Sequence, residues 1–151
     1  MSNSSPESTP PRLLVDRTWT EPGQSIHLTL DADHRGVIVF NGKGTMAGAQ
    51  ALIDLIDGLR AELGHDLVIS ALVDMRRLEG APLRAQFLLG KWLLTRKKQI
   101  SKVAIFGGKP IEMGIARAVM TISGMGQKAH FGNHLADAVR FLGWPEDRYP
   151  R

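Results

Sequence analysis

Leu67-Val68-Ile69-Ser70-Ala71-Leu72-Val73-Asp74, followed by Met75-Arg76-Arg77-Leu78-Glu79-Gly80-Ala81 and then Pro82, decides how this chain is read. The near-continuous apolar run up to Asp74 suits a strand covered on both faces, as in a parallel sheet. Pro82 fits a helix opening, and apolar residues recur at helical spacing from there to about Gln99. A buried strand leading through a short loop into a helix is the first half of a right-handed crossover.

On the upstream side, Ile26, Leu28 and Leu30 alternate with polar residues, Asp33-His34-Arg35-Gly36 carries turn chemistry, and Val37-Ile38-Val39-Phe40 follows. That pattern predicts a hairpin feeding a central strand. Residues 13–19, before the Pro22-Gly23 break, read either as an edge strand or as a segment packed across the sheet. Thr45 is placed to cap a helix running to about Leu63 and closed by Gly64, with Leu52, Leu55, Ile56, Leu59 and Leu63 on one stripe. Downstream, Lys102-Val103-Ala104-Ile105-Phe106 reads as a strand, and Pro110 opens a helix to about Ser123. A short strand over 128–131 and a last helix capped by Asn133 and ending at Leu142 complete the chain. The expected fold is a single α/β domain over residues 13–145, with a mixed, mostly parallel sheet of about five strands and four helices. Residues 1–12, rich in Ser and Pro, read as a disordered tail, and 146–151 as a C-terminal tail.

Composition narrows the classes of function. With 151 residues, 43% of them hydrophobic and 23% charged, one sizeable core is expected. The absence of cysteine excludes disulfides, a thiol nucleophile and thiolate metal ligands, and fits a cytoplasmic protein. No stretch approaches the roughly 18 consecutive apolar residues that would span a bilayer. The net charge of +4 is local, because residues 80–111 hold seven Lys and Arg and no acid, which leaves −3 elsewhere. Such runs are most often a solvated helix face, and no nucleic-acid partner is expected.

The motifs that might carry chemistry fail on their details. Gly42-Lys43-Gly44-Thr45 and Gly107-Gly108-Lys109-Pro110 join a strand to a helix, but neither places Ser or Thr after its lysine as a phosphate loop requires. His130 and His134 are four apart with no third ligand indicated. Ser123 has no nucleophile elbow. No catalytic residue, metal site or cofactor is expected, and Asp74 is assigned to holding the following loop through backbone hydrogen bonds.

The chain resembles the STAS superfamily, the anti-sigma-factor antagonist fold, in its SpoIIAA-like branch, which is grouped with CRAL-TRIO-type lipid-binding domains. The resemblance spans about residues 25–144. It rests on Gly36 to Gly42 as a strand ending in Asn-Gly, and on Leu72-Val73-Asp74 followed by Arg77-Leu78-Glu79-Gly80. Val103-Ala104-Ile105-Phe106-Gly107 and the closing Ala138-Val139-Arg140-Phe141-Leu142 extend it. The resemblance implies a non-enzymatic regulatory module switched by phosphorylation of a Ser or Thr at the start of the helix after Asp74. Between Asp74 and Trp92 there is no Ser, Thr or Tyr, so that switch does not carry over.

Binding is expected instead on the helices that follow Pro82 and Pro110. Leu83, Phe87, Gly90 and Leu94 form one stripe of the first, and Ala85, Leu88, Leu89 and Trp92 a second that something besides the sheet should cover. On the next helix Ile111, Ile115, Ala118, Val119 and Ile122 suit a core face, while Met113, Ala116 and Met120 make another line. Leu88, Leu89, Trp92, Met113 and Met120 are therefore the expected contacts for a protein partner or a second copy of the chain. Arg76, Arg77, Arg96, Lys97 and Lys98 are candidate anion contacts. The alternative reading is a carrier of an apolar small molecule or lipid that touches membranes at their periphery.

Overall fold

The structure, a computed structural model, describes residues 12–145, so the two expected tails, apart from Arg12, lie outside the described residues. Six strands and four helices follow one another as β1 (Leu13–Glu21), β2 (Gln24–Asp31), β3 (Arg35–Gly42), α1 (Met46–Leu63), β4 (Ile69–Leu78), α2 (Leu83–Arg96), β5 (Ile100–Phe106), α3 (Pro110–Ile122), β6 (Ala129–Gly132) and α4 (Leu135–Leu142). They build one sheet in the order β1-β2-β3-β4-β5-β6. The first two neighbouring pairs are antiparallel and the remaining three parallel, which gives the mixed α/β sheet expected from the alternation of strands and helices.

The strand count is six rather than about five. Residues 13–21 are an edge strand, with Arg17 opposite Leu28 and Trp19 opposite Ile26. The strand expected to stop at Asp74 runs on to Leu78, because Asn41 and Gly42 of β3 continue to pair with Arg77 and Leu78. The loop into α2 thereby shortens to residues 79–82.

Period-two alternation divides β4 between two cores. Ala71, Val73 and Met75 join Ile38, Leu52, Leu59, Leu93 and Val119 beneath α1, α2 and α3, whereas Leu72 joins Ala104, Phe106, Val139 and Trp144 beneath α4. Trp144 Nε1 donates to Ser70 Oγ at 2.8 Å and ties the end of α4 to the sheet. At the start of α1, Thr45 Oγ1 accepts from the Gly48 amide at 3.0 Å, as a capping threonine should. The cap expected at Asn133 falls instead on His134, whose side chain makes no capping bond, and the helix is closed by Gly143 in the left-handed region.

The bend out of β3 requires a glycine. Gly42 has φ +91°, and a Cβ built on it would lie 2.1 Å from the Gly23 carbonyl oxygen of the β1–β2 turn. The next amide, Lys43 N, donates to that same oxygen at 3.0 Å, and Glu79 N donates to Gly42 O at 2.9 Å. The loop into α1 is thus fastened on both sides. No helix among the described residues is long and apolar enough to cross a membrane.

Candidate functional site

The three helices on one face do not close completely on the sheet. Beneath them lies a cavity of about 140 Å³ walled by Ile38, Val73 and Ile105 from the sheet, Leu52 from α1, Leu89, Trp92 and Leu93 from α2, and Ala116, Val119 and Met120 from α3. Its wall is almost wholly carbon. Three polar side chains, Gln24, Thr45 and Gln86, line it, and Thr45 and Gln86 stand near the starts of α1 and α2. Gln86 Nε2 is occupied in donating to Ala81 O at 3.3 Å.

Protein interiors are packed to the density of organic crystals, and voids much larger than a water are few.

Of the residues expected to face a partner, Leu89, Trp92 and Met120 line this cavity. Met113 is buried outside its lining, 8% exposed, and Leu88 is half-buried outside it too. The assignment of stripes is therefore reversed. On α3, Met113, Ala116 and Met120 join Val119 in the core, whereas Ile111 is 75% exposed and Ile122 lies at the surface. On α2, Leu83 is 63% exposed and Phe87 and Leu94 also face outward, whereas Ala85 and Leu93 are buried.

The physical reason is that α2 sits between two helices. One flank meets α1, where Asp57 Oδ1 accepts from Trp92 Nε1 and from Arg96 Nε, each at 3.0 Å. The other meets α3, where Gly90 lets Ile122 approach so closely that a Cβ at Gly90 would lie 2.9 Å from its Cγ2. What covers the second stripe of α2 is α1 and the cavity.

The basic residues fall into two groups at opposite ends of the sheet. Arg76 and Arg77 stand at the end of β4, and Arg96, Lys97 and Lys98 beside the start of β5. Arg76 lies over the Phe106 ring, 5.1 Å from its centroid, and binds Asp74 through Nη2 at 2.7 Å and Nε at 3.0 Å. Those bonds hold the Arg76 guanidinium above its ordinary pKa, partial burial opposing them and the Asp74 charge adding to them. Asp74 Oδ1 also accepts from Arg76 N at 3.0 Å, the loop-holding backbone bond expected of it. Arg96 is paired with Asp57. Arg77, Lys97 and Lys98 are exposed, and among the described residues none of them pairs with a carboxylate. The five do not form one anion site.

Reading the sequence passed over Gln24, although a signal was present. It lies in phase with Ile26, Leu28 and Leu30, and so on the buried face of β2, where a carboxamide is out of place unless something uses it.

No protein-family model matches the chain, and no curated protein matches it. Among solved structures it is similar to an uncharacterised protein of the DUF3478 family with a SpoIIAA-like fold from Shewanella loihica, with 23% identity and a TM-score of 0.59 over 80% of this chain and 94% of that one. It is also similar to the Bacillus cell-fate determinant SpoIIAA in its phosphorylated form, at 14% identity and a TM-score of 0.52 over 76% of this chain and 96% of the other. The unphosphorylated form, described as an anti-sigma factor antagonist, gives the same identity and TM-score. The chain has the SpoIIAA-like fold.

Proposed function

We propose that this protein is a non-catalytic binding module of STAS type that takes up an apolar small molecule between its sheet and helices α1 to α3. The observation that carries the reading is the carbon-lined cavity of about 140 Å³. An engineered apolar cavity of roughly 150 Å³ stays dry and binds benzene, so one aromatic ring or its equivalent in chain is the expected scale. The lack of any hydroxyl between Asp74 and Trp92 supports a module that responds to a ligand rather than to phosphorylation in that segment.

Toluene is a suitable probe. At about 100 times its dissociation constant it should stabilise the protein by about 2.7 kcal/mol, seen as a rise in melting temperature. Ala116→Leu, which projects new carbon into the cavity, should by itself raise stability by about 1 kcal/mol and abolish the toluene effect. A wild-type protein whose melting temperature is insensitive to toluene at saturation in water would count decisively against the reading.

A second reading, docking of a protein partner, is favoured by one surface. Leu83, Phe87 and Leu94 of α2 and Ile111 of α3 are exposed apolar side chains, and Arg84 and Lys91 on α2, Lys98 in the turn after it and Lys109 just before α3 are exposed as well. That chemistry suits an apolar partner face with an acidic rim. A second copy of the chain or an anionic membrane would meet the same residues. Light scattering on wild type and Phe87→Glu tests self-association, with the substitution expected to give only monomer. A monomeric wild type that also fails to retain an acidic-rimmed amphipathic peptide would remove this second reading.

A further inference from the structure

We infer that the molecule held in the cavity carries a carboxylate at one end, received by Arg60 and Gln99 in a smaller space beside the cavity; the inference rests on the cavity reading above. That smaller space, of about 20 Å³, lies between the last turns of α1 and the turn that leads into β5. Ile56, Ile69 and Ile100 line both spaces, so the two are one residue apart. Arg60 follows Ile56 by about one helical turn on the same face of α1, and Gln99 immediately precedes Ile100. The wall changes character here, from carbon alone to Arg60, Arg96 and Gln99 beside aliphatic residues.

Two polar atoms at this place lack a partner. Arg60 Nε and Gln99 Oε1 are buried, and neither makes a hydrogen bond among the described residues. Arg60 also pairs with no carboxylate among them. Asp57, on the preceding turn of α1, already accepts from Trp92 Nε1 and Arg96 Nε. A guanidinium whose Nε–H has lost its water is costly until something accepts from it. Gln99 adapts to that acceptor, because no hydrogen bond fixes which end of its carboxamide points inward and a half-turn of the amide exchanges them. With the NH₂ turned in, Arg60 and Gln99 both offer donors to the same space.

Charge selects the acceptor. Arg60 and Arg96 line the space, and no Asp or Glu does. Lys97 and Lys98 stand exposed in the turn just before Gln99, and Lys128 Nζ is anchored on that turn, donating to Lys97 O at 2.8 Å and to Ile100 O at 3.2 Å. A carboxylate meets this field favourably and takes a charge-assisted hydrogen bond from Arg60. An ammonium is repelled by it, and a bare hydrocarbon leaves Arg60 Nε without an acceptor. About 20 Å³ admits one small polar group, which suits a carboxylate better than a phosphate ester. The apolar body then runs from Ile56 and Ile100 towards Leu93 and Met120 in the main cavity.

The experiment is a calorimetric titration of the full 151-residue protein with phenylpropanoate, phenylpropanol, phenylpropylamine and toluene. All four bring the same ring, so their differences report the head group. Phenylpropanoate should bind at least about tenfold more tightly than phenylpropanol, and phenylpropylamine more weakly than the alcohol. Phenylpropanoate should also compete with toluene, as two rings in one cavity must. Arg60→Met keeps an unbranched stem and removes the guanidinium; it should bring phenylpropanoate to within about threefold of phenylpropanol and leave toluene within about threefold of wild type. Should that variant not fold, Gln99→Leu is expected to weaken phenylpropanoate by about threefold or more, with toluene again unchanged. Phenylpropanoate no tighter than phenylpropanol in wild type overturns the inference, leaves the cavity reading standing where toluene binds, and means that water alone serves Arg60 and Gln99. A carboxylate that fails to compete with toluene, an amine that binds as tightly as the carboxylate, or a preference unmoved by both substitutions overturns it equally. If none of the four probes binds, the cavity reading itself fails and the inference with it.

Discussion

Gly42→Ala is expected to lower the free energy of unfolding by about 3 kcal/mol or more, read as a shift in the urea midpoint without a change in slope. The positive φ alone costs a non-glycine residue about 1–3 kcal/mol. To that is added a contact of 2.1 Å between the new methyl carbon and the Gly23 carbonyl oxygen, which is backbone and cannot swing aside as a side chain would. Relief requires the β1–β2 turn or the loop into α1 to move. Both border the cavity, since Gln24, which follows Gly23, and Thr45, three residues beyond Gly42, line it. The variant should therefore also bind toluene more weakly even where it remains folded. Gly114 provides the control: it is on α3 with nothing within 4 Å of a built Cβ. Gly114→Ala should be stabilising by about 0.5–1 kcal/mol through helix propensity. A loss below about 1 kcal/mol for Gly42→Ala would mean that the turn relaxes readily and does not fix the loop.

Trp92→Ala should cost about 3 kcal/mol and release toluene rapidly. The indole packs against the main core, lines the cavity, and donates to Asp57 across the seam between α1 and α2. Its removal leaves a hole that joins the existing space, and it leaves Asp57 with Arg96 as its remaining partner. Trp92→Phe separates the two contributions, because it keeps a ring in the wall and loses the hydrogen bond, for about 1 kcal/mol. Toluene should still bind Trp92→Phe with similar affinity. If Trp92→Ala binds toluene as wild type does, the wall at this seam is not what retains the ligand.

Much of the fold was legible in the residues because local signals agreed with global ones. The Leu67 to Asp74 run, Thr45 with Gly64, and Pro110 after Gly107-Gly108 each marked an element that the structure contains. The continuation of β4 to Leu78 was not legible, since Met75-Arg76-Arg77-Leu78 has loop-like charge and is strand only because β3 pairs beside it. The orientation of α2 and α3 was not legible for a different reason. Each helix carries two apolar lines of comparable strength, and periodicity cannot rank them. The ranking is decided by neighbours distant in sequence, with Asp57 taking one flank of α2 and Ile122 the other. A cavity is harder still to foresee, because it is a mismatch between volumes rather than a property of any residue. Gln24 was the one member of the site with a local signature, a carboxamide standing in a row of buried aliphatic residues.

The close approach at Gly90 has a mechanical consequence. With no side chain at Gly90, Ile122 of α3 sits against the α2 backbone, and the two helices can slide or tilt past one another only by lifting it out of that notch. The seam between α1 and α2 is bridged instead by polar bonds to a single carboxylate, Asp57, near one end. Sliding of α2 against α3 is therefore opposed by an interlocked side chain, whereas the polar bonds across the α1–α2 seam converge on Asp57 alone. Traffic into the interior should pass where the chain is stitched at one point, not where it is interlocked.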